Sequence, residues 1–231
     1  GGHGALLVNL QDVGGDVVLV KNIDNIVEAS SRDNVVAWRR RLIGVLLEVE
    51  AEIHGLLRAF DRGESPVVAA QRALALHFGN SVAADPKALV RALNRPIRVA
   101  GMVLNDGQPG GGPFWVAGRG PQIVEMVQID MNHPPTADAL NKATHFNPVE
   151  MVLSLLDFKG DQFELSDFID EKAVIINKKL VAGKEVTVLE HPGLWNGSMA
   201  GWNAVFVEQP RVTFQPVKVL ADLLGSGHRT E

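Results

Sequence analysis

Val17-Val18-Leu19-Val20-Lys21-Asn22-Ile23-Asp24-Asn25 is a short apolar run, rich in β-branched residues, that ends in two amides and a carboxylate. Four consecutive apolar residues fit a strand buried on both faces of a parallel sheet. In open α/β folds ligands bind beyond the carboxyl ends of the strands, so Asn22, Asp24 and Asn25 are expected to project into such a crevice. Upstream, Gly1-Gly2-His3-Gly4 leads into apolar residues at helical spacing over 4–11, and Gly14-Gly15 turns the chain into the strand. The opening reads as the middle of a loop, and the chain as a piece of a longer protein.

Beyond this αβ unit the register changes. Leu42, Leu46, Val49, Ile53, Leu56 and Phe60 alternate spacings of four and three, which predicts a long amphipathic helix over 28–61. Arg39, Arg40, Arg41, Glu48, Glu50 and Glu52 fall on its other faces and read as a solvated surface. Further helices are expected over 67–77 and 86–94, the latter with Asp85 as N-cap and Pro86 at the first helical position. Strand character returns over 97–104. The glycine-rich stretch 109–115 follows, where a tight turn or close ligand approach must offset the entropy of three glycines. A strand over 122–129, a helix over 148–156 and a short strand over 174–177 complete the reading. Residues 27–95 thus form a helical insertion in one α/β domain spanning 1–231.

With 231 residues, 46% of them hydrophobic, the chain can bury one substantial core. Its net charge of −5 leaves no basic stripe for a nucleic-acid backbone. The absence of cysteine excludes disulfides, thiolate nucleophiles and cysteine-ligated metals, and a reducing cytoplasm is the simplest home. No apolar run is long enough to span a membrane as a helix. The histidines lack H-x-H or H-E-x-x-H spacing, and Ser198 lies outside any G-x-S-x-G, so zinc and serine-hydrolase chemistry are unsupported.

Several groups could carry chemistry. His3, with Gly2 and Gly4, precedes a helix and offers backbone N–H groups and a helix dipole to a phosphate, or forms an ordinary turn. Asp24 can hold magnesium or cap the next helix. Pro192-Gly193-Leu194-Trp195-Asn196-Gly197 concentrates turn formers with an indole and an amide, which suits stacking on a sugar or base, or a turn anchored by buried indoles. Lys218 follows Phe214-Gln215-Pro216-Val217 at a strand-to-helix junction, where it could neutralise charge in phosphoryl transfer.

Taken in order, these motifs resemble those of eukaryotic-type UTP:sugar-1-phosphate uridylyltransferases. Gly2-His3-Gly4, Asn22-Ile23-Asp24-Asn25, Ile123-Val124-Glu125-Met126-Val127-Gln128, His145-Phe146-Asn147 and Phe214-Gln215-Pro216-Val217-Lys218 with Ala221-Asp222-Leu223-Leu224 are collinear with that family's segments. Pro148 and Val149 stand where that family has asparagines, and Ile26-Val27 where it has Leu-Gly. A closer resemblance, through GGHGALL, KNIDN, GGGPFW, THFNPV, PGLWNGSMA and the Pro-Val-Lys segment, is to a bacterial family, domain of unknown function 4301. The transferase resemblance implies a nucleotidyltransferase-like, glycosyltransferase-A type mixed sheet flanked by helices, its N-terminal nucleotide loop lying outside this sequence. It also implies a magnesium ion on Asp24 and, as partners, a nucleoside triphosphate, UTP favoured, and a sugar 1-phosphate. His3, Gly2 and Gly4 would contact the nucleotide phosphate, and Lys218 the transferring phosphoryl group. Asn25, Glu125 and Asn147 would contribute to the substrate site. Sugar-nucleotide binding without turnover and scaffolding through the insertion are the alternative functions.

Overall fold

The computed structural model describes residues 2–107, 110–225 and 227–228. Gly1 and Pro109, parts of the two glycine-rich segments, lie outside the described residues. The helices are α1 (Leu7–Val13), α2 (Arg32–Asp61), α3 (Val67–Phe78), α4 (Pro86–Leu93) and α5 (Pro134–Asn141). The strands are β1 (Val17–Lys21), β2 (Ile97–Leu104), β3 (Gly112–Val116), β4 (Gly120–Val124), β5 (His145–Phe146), β6 (Glu150–Ser154), β7 (Ile175–Val181), β8 (Lys184–Glu190) and β9 (Asn203–Glu208).

A mixed sheet organises the α/β fold. β2 lies antiparallel to β6, pairing Ile97 with Ser154, and parallel to β9, pairing Ile97 with Asn203. β5 adds to the far end of β2, and β1 pairs antiparallel with β6. The parallel surroundings expected for β1 are therefore wrong. Its one described partner is antiparallel, and Leu19 stays 38% exposed because β1 stands at the sheet edge. A continuous apolar run does not encode the direction of its neighbour.

Helices α2, α3 and α4 cover one face of the sheet. Leu42, Leu46, Val49, Ile53 and Leu57 of α2 are buried with Leu74, Phe78, Leu89 and Leu93 against Ile97, Val99 and Val152. The long apolar stripe thus packs in cis. Asp85 caps α4 as its sequence predicts, accepting from the Ala88 N–H at 2.8 Å. The opposite face buries Ala100, Met102, Met151 and Leu153 under Leu7, Leu10, Ile123, Leu165, Met199 and Trp202.

Other expectations are corrected. Within 148–156 the chain forms strand β6, Glu150–Ser154, rather than a helix, because a strand covered on both faces loses its two-residue alternation and reads like a buried helix. The strand expected over 122–129 stops at Val124 and continues as a 3₁₀ turn over Met126–Gln128. The short strand near 174–177 is the start of a longer hairpin, β7–β8, turned by Ala182 (φ 50°) and Gly183 (φ 76°). Two charges expected on a solvated face of α2 instead reach the sheet: Arg39 pairs with Glu150, and Glu50 accepts from the Ser154 hydroxyl.

Candidate functional site

Since β1, β2 and β9 run in one direction, their carboxyl ends share one end of the sheet. The turn 147–149 between β5 and β6 lies there. Val149 sits at φ 54°, a region that β-branched residues avoid, so this turn is strained. Three hydrogen bonds hold it. Asn147 Oδ1 accepts from the Val149 N–H at 3.1 Å, the Asn147 N–H donates to Gly111 at 2.8 Å, and the Val149 carbonyl accepts from the Asn22 N–H at 3.2 Å. Asn147 is buried, and its Nδ2 has no hydrogen-bond partner among the described residues. A buried amide donor without an acceptor costs free energy that a ligand oxygen could recover.

From Asn22 the chain runs to Asp24 and Asn25. Asn25 is buried, and both ends of its amide are engaged: Nδ2 donates to the Thr213 carbonyl at 3.0 Å, and Oδ1 accepts from the Gln215 N–H at 2.9 Å. The Val217 N–H donates to the Asp24 carbonyl at 2.9 Å, which brings Lys218 beside the end of β1. Asp222 accepts from the N–H groups of Lys218 and Val219, at 2.7 and 2.9 Å, and fixes the turn after Lys218. Those donors, Val219 foremost, hold the Asp222 carboxyl below the usual carboxylate range. The Lys218 ammonium is exposed and has no ion pair among the described residues. Asp24 is half-buried, and its Oδ1 is a buried acceptor without a partner.

A second group gathers around His3, which opens a 3₁₀ turn, His3–Leu6. Its ring stacks on Trp195 with centroids 3.9 Å apart and planes at 14°. The Leu194 N–H donates to His3 Nδ1 at 2.9 Å, so the neutral ring carries its proton on Nε2. The Trp195 indole donates to Glu125 Oε1 at 3.1 Å, and Asn196 Nδ2 reaches the Ile123 carbonyl at 3.0 Å and Glu125 at 3.4 Å. Trp195 thus follows the anchored-turn expectation for its loop, its indole N–H held by Glu125 and its ring packed on His3. Glycine permits the close packing: a Cβ on Gly193 would lie 2.4 Å from His3 Cε1 and from Asn196 Oδ1, and one on Gly111 would lie 2.8 Å from Glu125 Oε1. Gly4 packs against the Pro192 carbonyl and Gly2 against Glu190.

Gly111 joins the two groups, touching Glu125 on one side and Asn147 on the other. His3 makes no hydrogen bond or ion pair with Asp24 or Lys218 among the described residues. Behind the His3 group, Asn196 contributes to the wall of a largely apolar cavity of about 680 Å³, with Phe114, Ile123, Val127 and Ile176.

Sequence reasoning passed over Arg98. Lying within apolar strand β2, it is fully buried and donates from Nη1 to the Trp195 carbonyl at 2.6 Å. Burial pulls its guanidinium pKa down to about 9. An arginine amid Ile97, Val99 and Ala100 was the available signal.

Burial also lowers the His3 pKa from 6.5, while Glu125 and Glu190 pull it upward. The unfolded chain then binds the proton more readily than the fold. The stability His3 contributes is complete above its ordinary pKa and is lost as pH falls through the lowered value. His3→Asn, which keeps an acceptor for Leu194, is expected to flatten the fall in urea midpoint as pH drops below 6.5. His54, lowered likewise by burial, leaves a residual slope. A variant with the wild-type slope would remove His3 from this role.

No group of three or more His, Cys, Asp or Glu side chains suited to a metal occurs among the described residues. The unpartnered Oδ1 of Asp24 fits an ion held by one protein carboxylate with substrate oxygens and water around it. No helix among the described residues is long and apolar enough to cross a membrane.

The model of the family "Domain of unknown function (DUF4301)" matches residues 1–229. Among solved structures, a mutant UDP-glucose pyrophosphorylase from Leishmania major in complex with UDP-glucose is similar at 20% identity and a TM-score of 0.36, over 64% of this chain and 34% of that one. A UDP-glucose phosphorylase from Trypanosoma brucei is similar at 17% identity and a TM-score of 0.37, over 64% and 33%. The chain spans about a third of the length of these proteins. None of the curated proteins matches it.

Proposed function

We propose that this chain, which belongs to the DUF4301 family, carries the sugar-phosphate side of a nucleotidyltransferase site. One observation carries the reading: the strained 147–149 turn connects Asp24 and Lys218 through Gly111 to Glu125, Trp195 and His3 at the carboxyl end of the sheet. The collinear motifs shared with uridylyltransferases support the same assignment.

In this reading an oxygen of a sugar 1-phosphate attacks the α-phosphorus of a nucleoside triphosphate, UTP favoured, in line with the departing pyrophosphate. One P–O bond forms as the α–β bridge breaks. Positioning and charge neutralisation suffice, and no protein nucleophile is needed. Lys218 Nζ, not held in an ion pair among the described residues, faces the charge developing on the transferred phosphoryl group. His3 donates its Nε2–H to a phosphate oxygen. Glu125 accepts from a sugar hydroxyl, and Asn147 Nδ2 donates to a sugar oxygen. Trp195 offers its ring beside them, and Asn25 holds the Asp24 backbone in place. Asp24 would hold a magnesium ion, which when bound supplies charge neutralisation between the phosphates.

The test measures pyrophosphate release by the full-length protein with magnesium, across the four nucleoside triphosphates and a panel of sugar 1-phosphates. Release that requires both substrates is expected, with UTP preferred. Silence across the panel from folded protein would overturn the transferase reading in favour of sugar-nucleotide binding without turnover.

A further inference from the structure

A second concave site, which shares only Ala117, Arg119 and Ala200 with the first cavity, lies between the end of α4, the β3–β4 turn and residues 167–169. Its volume is about 850 Å³, within the range of small-molecule sites. Arg91, Arg95 and Arg119 line it, with Asp167 as the carboxylate among the lining residues. Arg119 is paired to Asp170 at 2.8 Å. Arg91 and Arg95 have no carboxylate partner among the described residues, and the Arg95 guanidinium donates, from Nε, to the Arg91 carbonyl at 3.2 Å.

Arg91 is exposed at the C-terminal turn of α4, where the helix dipole favours a cation. That accounts for Arg91 but not for Arg95. Arg95 is half-buried and has given up part of its hydration, enough to lower its pKa, without receiving a counter-charge. In the same wall Asn94 has a buried Oδ1 without a partner, and Asn80 and Ser81 add polar groups. In a chain of net charge −5 this is a local excess of positive charge.

We propose that this groove binds a small phosphate monoester, its dianionic head held by Arg95 and Arg91 and its hydroxyl-bearing body by Asn94, Asn80 and Ser81. Two planar guanidinium groups suit a phosphate that can accept from both. The net acidity of the chain argues against a nucleic-acid backbone as the occupant. The proposal is independent of the transferase reading.

The probes are glucose 6-phosphate, inorganic phosphate and malonate, each titrated by calorimetry into the wild type, Arg95→Gln, Arg91→Gln and Lys218→Ala. Glucose 6-phosphate is expected to bind more tightly than inorganic phosphate, to weaken by at least about ten-fold in both arginine variants, and to be unaffected in Lys218→Ala. Arg91 is exposed, so its variant carries the test if Arg95→Gln fails to fold. Equal binding of malonate would overturn the phosphate assignment, and equal binding of inorganic phosphate would overturn the monoester. Absent binding, affinity unchanged in the arginine variants, or affinity lost in Lys218→Ala would overturn the site.

Discussion

Lys218→Ala is expected to reduce pyrophosphate release by about 10²–10³-fold, the usual effect of removing one group that stabilises charge in a transition state. The expectation rests on its position. The main chain places Lys218 at the end of β1 through the Val217–Asp24 hydrogen bond, and Asp222 fixes the following turn by bonding backbone rather than the ammonium. With no carboxylate at ion-pair distance among the described residues and an exposed side chain, Lys218 has little structural work to do. The melting temperature of the alanine variant should therefore stay near that of the wild type while kcat falls. Lys218→Arg keeps the charge but changes its shape and should give an intermediate rate. An alanine variant within about three-fold of the wild type would mean that no transition-state charge is stabilised there.

Arg39→Met is expected to lose about 2–4 kcal/mol of unfolding free energy. Breaking a buried ion pair costs about 3–5 kcal/mol because a charge is left uncompensated, and partial exposure of the arginine reduces that figure. Arg39 is 27% exposed and Glu150 3%. Arg39 Nη2 also approaches Glu150 Oε2 at 3.4 Å, alongside the closer Nε contact. The double variant Arg39→Met, Glu150→Gln should recover most of the loss, since it removes the stranded carboxylate as well. Urea unfolding of the single and double variants measures the cycle. A single variant within about 0.5 kcal/mol of the wild type would show that Glu150 finds another partner or water. Glu150 directly follows Val149, so the pair also fastens one side of the strained turn to α2.

What the sequence revealed and concealed follows from the range of each signal. The four-and-three spacing of Leu42, Leu46, Val49 and Ile53, and the Asp85-Pro86 cap, are local patterns with local causes, and α2 and α4 follow them closely. Strand β2 occupies the predicted residues, Ile97–Leu104. Direction and partners are non-local, and local patterns do not carry them: nothing in β1 shows that β6 lies antiparallel to it, and β6, covered on both faces, reads as a helix. The site divides similarly. His3, Glu125, Trp195 and Asn196 were each legible as motif residues and do assemble. Their dependence on Arg98 beneath the Trp195 carbonyl, and on the missing side chain of Gly193, exists only once the chain is folded. Arg39 and Glu50 looked like surface charges because helical periodicity shows a polar residue without showing what it faces.

The order of strands also bears on how the molecule assembles. β2 lies between β6 and β9, and β1 pairs with β6, so each partner arrives only after long stretches of intervening chain. The helices α2, α3 and α4, by contrast, follow one another through short connections and bury much of their apolar surface against each other. Closing a long loop costs more chain entropy than closing a short one, and non-local pairing slows folding. The helical layer is therefore the part that order can reach first, serving as the template on which β2 waits, during synthesis, for residues 150–154 and then 203–208.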